Sequence, residues 1–413
     1  MLRALMNGLM SEGRKPQSSG ASRRGFLWGL AAANGTILAG GARVWAAESD
    51  PRIKQILAKT ITVDMHNHGG IGSNTPPQRS TSAPKGAPKT GRGNAPSGRD
   101  ANIVEAMRRA GDSAICLTYA PDGKLMGVGA GAAAPGTRSN LTRDPSPGEM
   151  YREHLNYEDQ IDAMVAKYGI RRILKYSDLE MGHKEGRPVF IQDCEGADFL
   201  EEGHVERLEE AYKRGLRKLQ FVHYAVNDIG DFQIGPVIHH GLSPFGVEVV
   251  KECNRLGIVV DTAHGTFDMV KGVVKASSKP VVLSHTALFG SKAQGTFWAE
   301  NFRGGLPTMQ ARQVRPEHAK AIANAGGVVG IWHLFPSAEK YVEGVREMVD
   351  LIGADHVGIG MDWAIEGINH IWPDQTEGMM YTVIGEMLKQ GFTPEECGKI
   401  AGGNICRVFK ACV

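Results

Sequence analysis

Two histidines in residues 61–68 are spaced so that they could bind one metal ion together. The segment has the sequence Ile-Thr-Val-Asp-Met-His-Asn-His, and its β-branched residues predict a β-strand. Because side chains alternate faces along a strand, His66 and His68 would point the same way. Neutral imidazole is a common zinc ligand, so the pair could supply two metal ligands. For one His-x-His motif alone, ordinary strand-end histidines are the alternative interpretation.

Histidines and carboxylates recur at the ends of most other predicted strands. The further strands are expected over residues 114–119, 189–195, 216–223, 258–264, 280–285, 327–333 and 356–362. Seven of the eight strands end in such residues, which are His66 and His68, Glu195, His223, His264, His285, His333 and Asp362. Buried imidazoles and carboxylates cost free energy unless they are bonded to something, so packing alone does not explain this pattern.

The carboxylate of Glu195 is the group best suited to join two metal sites. It ends the third predicted strand, and histidines of the first, fifth and sixth strands would face it. Two cations a few ångströms apart can share one hydroxide, and a bound metal lowers the pKa of water from about 15.7 to about 7. Nitrogen and oxygen ligands without thiolate favour zinc, although manganese, iron or cobalt could occupy such a site.

The elements that would position these side chains alternate along the chain. Helices are expected over residues 100–110, 157–167, 205–214, 244–256, 267–275, 317–325 and 337–352, and two more follow. Most strands are near-continuous apolar runs, as in parallel sheets that are covered on both faces. Eight strand–helix units predict a (β/α)8 TIM barrel, in which the C-terminal ends of the strands meet at one mouth and would form a binuclear metal site. An open doubly wound sheet is the alternative.

Helix caps and loops complete the predicted domain. Asp100 is expected to cap the first helix and Ser243 the fourth, and Thr393-Pro-Glu-Glu396 has the spacing of a capping box. Residues 47–413 are expected to form a single metallohydrolase barrel domain. Its two long loops, at about 69–100 and 121–148, are rich in Gly and Pro and cannot pack a core.

Residues 1–46 have the features of a twin-arginine export signal. Arg23 and Arg24 precede a moderately apolar run at residues 27–42, and a small-residue pattern predicts cleavage near Ala46. A membrane anchor is the alternative, but the apolar run is short for a bilayer span. The twin-arginine export machinery is therefore an expected partner, and the mature protein would be periplasmic or extracellular.

Charge and cysteine content set further limits. The first 46 residues hold six Lys or Arg and one acidic residue of a chain whose formal net charge is +2, so the remainder is slightly acidic and no nucleic-acid partner is expected. Six cysteines would permit disulfides in an exported protein. Cys116 and Cys194, however, lie in apolar strand-like runs and are expected to be buried thiols.

Several motifs follow one another in an order that is specific to one family. They are Asp64-Met-His-Asn-His68, Glu195-Gly196, His223 with Asn227, Gly241-Leu-Ser-Pro-Phe-Gly246, Asp261-Thr-Ala-His264, Ser284-His285, Gly358-Ile-Gly-Met-Asp362 and Gly403-Asn-Ile-Cys-Arg-Val-Phe409. This set resembles the membrane (renal-type) dipeptidase family, peptidase family M19, within the amidohydrolase superfamily. The resemblance extends from about residue 50 to the C-terminus.

The resemblance implies a (β/α)8 barrel that binds two zinc ions. His66 and His68 would hold one ion, His264 and His285 would hold the other, and Glu195 would bridge them. His68 departs from the family pattern, which usually has Asp at this position. The metal pair would then carry more positive charge, which would affect metal preference or substrate range.

The resemblance also implies roles for residues that contact the substrate. His223 would polarise the substrate carbonyl, Asn227 would bind substrate beside it, and Asp362 would act as the catalytic acid and base. Arg312 best matches the arginine that grips the free carboxylate of the substrate. The alternatives for this arginine are Arg303 and Arg315.

These features predict an exported, zinc-dependent dipeptidase, in which a metal-bridging hydroxide attacks the peptide carbonyl of a small peptide. The family tends to form homodimers. One alternative is a related binuclear amidohydrolase that acts on N-acyl amino acids, β-lactams or lactones. A second alternative is an exported binding protein without catalytic activity.

The remaining histidines and Asp64 have less specific predictions. Asp64 lies one pleat below His66, where it is expected to hydrogen-bond a ligand imidazole. His333 would either line the pocket or pack in the core. The histidines that are expected to be solvated are His154, His183, His204, His318, His356 and His370.

Overall fold

Eight parallel strands form a closed barrel in the computed structural model, which describes residues 50–69, 102–126, 141–295, 297 and 310–413. The strands are β1 (Val63–Asn67), β2 (Ala114–Tyr119), β3 (Val189–Glu195), β4 (Leu216–Gln220), β5 (Val259–Asp261), β6 (Val282–Thr286), β7 (Val328–Ile331) and β8 (Val357–Ile359). Each strand of the barrel pairs with the next along the chain, and β8 pairs with β1. A two-residue strand, Arg171–Arg172, also pairs with β3 but is not one of the eight. This closure confirms the predicted (β/α)8 TIM barrel and excludes the open sheet.

Helices cover the barrel. In the described residues they are α1 (Pro51–Lys59), α2 (Ile103–Ala110), α3 (Glu149–Tyr168), α4 (Tyr176–Lys184), α5 (Arg207–Lys213), α6 (Pro244–Leu256), α7 (Phe267–Ala276), α8 (Pro316–Asn324), α9 (Ala338–Ile352), α10 (Met379–Lys389), α11 (Pro394–Gly398) and α12 (Asn404–Cys412). Short 3₁₀ helices occur at Pro121–Leu125, Ala197–Gly203, Ala354–His356 and Ile368–His370. Among the segments just given, no helix is both long enough and apolar enough to cross a membrane.

Local sequence signals explain where several helices begin. The Ser243 side chain accepts a hydrogen bond from the backbone of Gly246 at the start of α6, and Pro244 occupies the first turn. Thr393 and Glu396 form the predicted capping box at α11. Both predicted caps are therefore confirmed.

The first predicted helix begins slightly later than its sequence suggests. α2 starts at Ile103 because the Asn102 side chain accepts hydrogen bonds from two backbone N–H groups of the first turn. The predicted cap, Asp100, lies outside the described residues. Of the predicted loop at 69–100, only Gly69 is described. The predicted loop at 121–148 opens with a 3₁₀ helix directly after β2, and its residues 127–140 are also outside the described part.

A buried ion cluster fills the barrel just below its mouth. Lys218 of β4 lies between Asp193 of β3 and Asp261 of β5, with its Nζ 2.6 and 2.7 Å from their carboxylate oxygens. Burial would lower the pKa of Lys218, but the two carboxylates raise it above its ordinary value. Each charge has a partner at hydrogen-bond distance, so the cluster can remain ionised in the interior. Asp193 lies one pleat below Glu195, so this cluster is the floor of the site above it.

Candidate metal centre and active site

Residues from six of the eight strands converge at the C-terminal mouth of the barrel. His66, Glu195 and His285 lie within β1, β3 and β6. Four further side chains follow β1, β4, β5 and β8 by one to three residues, namely His68, His223, His264 and Asp362. Most of these side chains are buried, and His68 and Asp362 are partly exposed. The structure thus brings together all seven residues that sequence reasoning assigned to metal binding or catalysis at this mouth.

One oxygen of the Glu195 carboxylate faces the His-x-His pair. Its Oε2 lies 3.5 Å from Nε2 of His66 and 3.7 Å from Nε2 of His68. Asp362 completes this half of the centre, because its Oδ1 lies 3.2 Å from Nε2 of His68 and 3.9 Å from Nε2 of His66. His66, His68 and Asp362 therefore form one group of potential metal ligands.

The other oxygen of Glu195 faces three histidines. Its Oε1 lies 3.4 Å from Nε2 of His264, 3.5 Å from Nε2 of His223 and 3.7 Å from Nε2 of His285. The two carboxylate oxygens thus point into separate ligand groups, as a bridging carboxylate requires. Glu195 with His223 and His264, and Glu195 with His66 and His285, are the further candidate groups.

The spacing of these atoms suits a shared metal ion. Ligand atoms at about 2.0–2.2 Å from one tetrahedral ion lie roughly 3.3–3.6 Å apart, which matches most of the separations around Glu195. The Nε2 atom of His66 is buried and makes no hydrogen bond within the described structure. Nε2 of His264 and Nε2 of His285 lie 3.0 Å apart, close enough for both to bind one cation. The residues present therefore fit a pair of metal ions.

The electrostatics also favour metal-binding protonation states. Burial, reinforced by the charge of Arg312, lowers the pKa of His264 to about 3, and burial holds the pKa of His285 well below its ordinary value. Both imidazoles are thus neutral and can donate an electron pair. Burial would raise the pKa of Glu195, but His223 and His66 hold it well below its ordinary value. The central carboxylate is ionised.

The prediction for Asp64 was wrong in one respect. Its Oδ1 accepts hydrogen bonds from the backbone N–H of His66, at 3.2 Å, and of Met361, at 2.9 Å, and the carboxylate bonds no imidazole in the described contacts. The hydroxyl of Ser284 instead lies 3.3 Å from Nδ1 of His66 and 3.0 Å from Nδ1 of His285. Asp64 therefore holds the backbone that carries the ligand, while Ser284 contacts the rings.

Among the arginines that the structure describes, Arg312 is the one that contacts the ligands of the centre. It is only 8% exposed, donates a hydrogen bond to the Tyr224 hydroxyl at 3.1 Å, and lies against the ring of Trp332 at 5.2 Å. Arg315, an alternative from the sequence, instead lies over the ring of Phe289 at 4.6 Å. The other alternative, Arg303, lies outside the described residues.

The guanidinium of Arg312 contacts the second ligand group directly. One terminal nitrogen lies 2.8 Å from Nε2 of His264, 3.2 Å from Nε2 of His285 and 3.4 Å from Oδ2 of Asp362. A metal ion held by the two imidazoles would use the electron pairs that now face Arg312. The guanidinium would then turn its N–H groups towards another acceptor in the mouth, such as a carboxylate.

His223 has a buried partner that the sequence analysis missed. Asp122, which follows β2 in the 3₁₀ helix Pro121–Leu125, accepts a hydrogen bond from Nδ1 of His223 at 2.7 Å. Burial would lower the pKa of His223, but Asp122 and Glu195 raise it to about 9. The sequence did contain a hint of this role. The second strand was the only one of the eight predicted strands with no polar residue assigned at its end, and Asp122 lies three residues beyond that strand.

The side chain of Asn227 is already engaged within the protein. Its amide nitrogen donates to Asp198 and to the carbonyl of Phe221, both at 2.9 Å, and its oxygen accepts from the backbone of Ile229 at 3.0 Å. These contacts brace the loop after β4. Substrate binding by Asn227 remains a prediction that none of these contacts tests.

Three other histidines lie where packing decides their environment. His333 is buried against Trp363, with ring centroids 4.9 Å apart, and its Nδ1 bonds the carbonyl of Met361. His154 and His318 are also buried, so the prediction that they are solvated was wrong. His154 stacks on Phe199 at 3.9 Å, an aromatic contact that helix position alone does not reveal.

Cys116 and Cys194 are buried thiols, as predicted.

Two site residues have left-handed backbone conformations. The φ angles of His264 and Asp362 are 66° and 52°, values that cost residues other than glycine of the order of 1–3 kcal/mol. Neighbouring backbone bonds hold them in place. The N–H of Asp362 donates to the carbonyl of His66 at 3.0 Å, and the carbonyl of His264 accepts from Gln233 at 2.7 Å. From these backbone positions the side chain of His264 reaches Glu195 and that of Asp362 reaches His68.

Known proteins resemble this chain over most of its length. The family model described as Membrane dipeptidase (Peptidase family M19) matches residues 51–293 and 307–412. Dipeptidase tcpJ of Claviceps purpurea (strain 20.1) is 28% identical over 265 residues, which are 58% of this chain and 57% of that protein. Dipeptidase verJ of Clonostachys rogersoniana is 25% identical over 277 residues, which are 63% of this chain and 65% of that protein. The chain therefore spans less than two thirds of either relative.

A solved structure supports the same fold. The probable dipeptidase PvdM from Pseudomonas aeruginosa superposes with a TM-score of 0.63 at 16% sequence identity, over 88% of this chain and 98% of that one. At this identity the likeness concerns the fold alone. The family model, in contrast, covers well over half of the chain and includes every residue of the centre described above. The chain belongs to the membrane dipeptidase family, peptidase family M19.

Proposed function

We propose that this protein is a metal-dependent dipeptidase. The observation that carries the proposal is the position of Glu195, whose two carboxylate oxygens face two separate groups of imidazoles within 3.7 Å, with an arginine beside them. Two divalent ions, which we propose to be zinc, would be held by His66, His68, Glu195, His264 and His285. Metal ions in such a centre activate water and polarise a carbonyl group.

Two side chains beside the metal ligands, Asp362 and His223, would carry out proton transfer and carbonyl polarisation. Asp362 lies between His68 and Arg312; burial would raise its pKa, but the hydrogen bond from His68 and the positive charge of Arg312 hold that pKa well below the ordinary value. As an ionised carboxylate beside the centre, it can accept a proton from water and pass it to the leaving amine. Although burial would lower the pKa of His223, Asp122 and Glu195 raise it to about 9, so both ring nitrogens carry a proton at neutral pH and Nε2 can donate a hydrogen bond to the carbonyl oxygen on which charge develops.

Arg312 would select the length of the substrate. Its guanidinium lies 3.4 Å from Asp362, so a carboxylate bound by Arg312 is held close to the reacting carbonyl. Only a short spacer between scissile bond and carboxylate fits this arrangement, and a dipeptide provides one residue. A planar guanidinium binds a carboxylate through two parallel hydrogen bonds, which fixes orientation as well as charge.

We further propose that the enzyme acts after export through the twin-arginine route, in the periplasm or outside the cell. Support comes from the pair Arg23 and Arg24 before an apolar run. That route is known for carrying folded proteins. Export in the folded state would suit this protein, because its metal ligands come from separate strands that meet only after folding.

The deciding experiment combines metal analysis with a substrate screen. Purified protein is expected to contain two equivalents of a divalent metal per chain and to hydrolyse dipeptides. A panel with L or D second residues, N-acyl amino acids, β-lactams and lactones separates a dipeptidase from the related hydrolases. Turnover of one of these other classes with no dipeptide hydrolysis would reject the proposal.

A variant of the central carboxylate tests the proposed bridge. Glu195→Gln is expected to abolish dipeptide hydrolysis and to lower the metal content to one equivalent or less, because an amide binds cations far more weakly than a carboxylate. Glu158→Gln is the matched control, since Glu158 is also buried but lies on α3 against His154 and Arg214. A Glu195→Gln protein that retained two metals would show that Glu195 does not bridge.

A further inference from the structure

We infer that Asp122 is a positioning residue that fixes the ring of His223 in the orientation needed for carbonyl polarisation. The inference rests on the proposed dipeptidase function for its catalytic consequence. The contact itself is independent of that function. Asp122 therefore links the end of β2, which supplies none of the predicted ligands, to the reaction.

The carboxylate of Asp122 makes three converging contacts. Its Oδ1 lies 2.7 Å from Nδ1 of His223, and its Oδ2 accepts from the backbone N–H of Tyr224 at 3.1 Å and of Ala225 at 3.0 Å. Asp122 is fully buried and His223 is nearly so. One side chain thus holds both the ring and the backbone that carries it, so neither can rotate without breaking a bond.

These contacts determine which ring nitrogen faces the centre. An ionised carboxylate can only accept hydrogen bonds, so Nδ1 of His223 carries a proton in this pair. The opposite nitrogen, Nε2, is left facing Oε1 of Glu195 at 3.5 Å. In other hydrolases a carboxylate behind an active-site imidazole orients the ring and stabilises its imidazolium form, which carries a proton on both nitrogens and can therefore donate from Nε2. Here Asp122, which follows β2, is the carboxylate behind the imidazole of His223, which follows β4.

Neighbouring rings restrict His223 on its other sides. The ring centroid of Tyr224 lies 4.2 Å away and that of His264 lies 5.0 Å away. A 180° flip of the imidazole exchanges Nδ1 and Cδ2 and leaves the shape of the ring nearly unchanged, so packing against these rings does not distinguish the two orientations. The bond to Asp122 distinguishes the two orientations, because only one of them places Nδ1 at the carboxylate.

A purely structural role is the rival explanation, because two of the three contacts are to backbone. Asp122→Asn separates the two roles. The amide oxygen of Asn can still accept from Tyr224 and Ala225, while its NH2 group can only donate to Nδ1 of His223. The fold is therefore kept, whereas the charge-assisted bond to the ring is lost and its direction reversed.

The expected kinetic effect is on turnover. Removing one oxyanion donor costs about 100- to 1000-fold in kcat, so Asp122→Asn, which leaves the ring in place, is expected to lower kcat about tenfold with KM within roughly threefold. Metal content and melting temperature should match the wild-type protein. A lower kcat that comes with lost metal or a lower melting temperature would indicate a structural role and overturn the inference.

A double-mutant cycle with His223→Ala tests whether Asp122 acts through that ring. In the His223→Ala background, Asp122→Asn is expected to change kcat less than about twofold, because the two residues work as one unit. Asp231→Asn is the matched control. Asp231 is a buried carboxylate that accepts three backbone N–H groups in the loop after β4 but bonds no imidazole. Its effect should be the same in both backgrounds.

A readout without substrate keeps the inference separate from the proposed activity. In protein labelled with ¹⁵N-histidine, the Nδ1 proton of His223 should give a downfield, slowly exchanging NMR signal that is absent both in His223→Ala and in Asp122→Asn, where Nδ1 accepts a hydrogen bond instead. An unchanged signal in Asp122→Asn, or equal kcat losses in both backgrounds, would overturn the inference. Failure of the wild-type protein to hydrolyse any dipeptide would instead reject the proposed function and leave the NMR test decisive.

Discussion

At the scale of single residues, the partners of Arg312 explain how its positively charged guanidinium can be buried beside the candidate metal ligands. Its guanidinium is buried, and a buried positive charge is costly unless it is paired. Asp362 supplies a negative charge at 3.4 Å, and the Tyr224 hydroxyl accepts a hydrogen bond. The face of Trp332, 5.2 Å from the guanidinium carbon, adds a cation–π contact. These partners keep Arg312 charged at the position where a substrate carboxylate would arrive.

Replacing Arg312 should weaken the binding of free dipeptides. A bidentate, charge-assisted pair contributes about 3 kcal/mol, so Arg312→Ala is expected to raise KM about 100-fold, whereas C-terminally amidated dipeptides, which lack the carboxylate, should lose much less. Steady-state kinetics on matched free and amidated substrates provides the measurement. Arg315→Ala, at the arginine that packs on Phe289, is the control and should behave like the wild-type protein. Equal losses on both substrate types would contradict a carboxylate-gripping role.

At the scale of elements, the turn between α2 and β2 contains a buried carboxylate, Asp112. Both oxygens of Asp112 are buried and make no hydrogen bond within the described structure. Burial, with the nearby charge of Asp64, raises the pKa of Asp112 well above its ordinary value. The turn is fixed all the same, because the N–H groups of Gly111 and Asp112 both bond the carbonyl of Met107 at the end of α2.

Asp112 should therefore lower stability as the pH rises. A carboxyl group with a raised folded-state pKa contributes its full stability below the ordinary value near 3.9, and that contribution is lost as the pH rises through the folded pKa. Asp112→Asn removes this dependence, so the variant should be more stable than the wild-type protein at pH 7 and equally stable near pH 4. Urea midpoints at the two pH values measure the difference.

Asp231 offers a control of opposite sign for the same measurement. Burial would raise its pKa, but backbone N–H groups of His239, Ile238 and Gly241 lower it below the ordinary value. Its stabilising contribution is present above the ordinary value and is lost as the pH falls. Asp231→Asn should thus lower the urea midpoint at pH 7, by an amount that shrinks on acidification. The same pH trend in both variants would contradict this assignment.

At the scale of the whole molecule, the proposed twin-arginine signal in residues 1–46 predicts that the barrel is found outside the cytoplasm. Arg23→Lys with Arg24→Lys should hold the protein in the cytoplasm of a host that has twin-arginine machinery, because the signal is recognised by a receptor and lysine cannot replace the planar guanidinium. Arg14→Lys, a basic residue outside the pair, is the control and should be exported normally.

Cell fractionation with immunoblotting measures this outcome, and intact mass gives the mature N-terminus, which is expected near Ala46. Normal export of the double variant would contradict the twin-arginine assignment. A full-length mass in the exported fraction would contradict cleavage and favour an anchor.

Much of the centre was predictable because a barrel of parallel strands brings its strand ends to one mouth. His66, Glu195, His264 and His285 each end or closely follow a strand that apolar residues identify, so one topological inference placed them together. The caps at Ser243 and Thr393 were equally local, since a few neighbouring residues determine them. Strands and helix caps can be predicted from short segments, and the convergence of the strand ends at one mouth is common to all (β/α)8 barrels.

Tertiary contacts decided what short segments leave open. Asp122 lies in a Gly-rich stretch that resembles a loop, and only the fold places it 2.7 Å from a histidine 101 residues away. His154 appears solvated by its helix position, but Phe199 covers it. Asp64 bonds backbone rather than a ring because β8 delivers the N–H of Met361 to the same carboxylate. Sequence alone thus determined the barrel and its ligand types, whereas the partners of each side chain depend on distant segments that meet only in the folded chain.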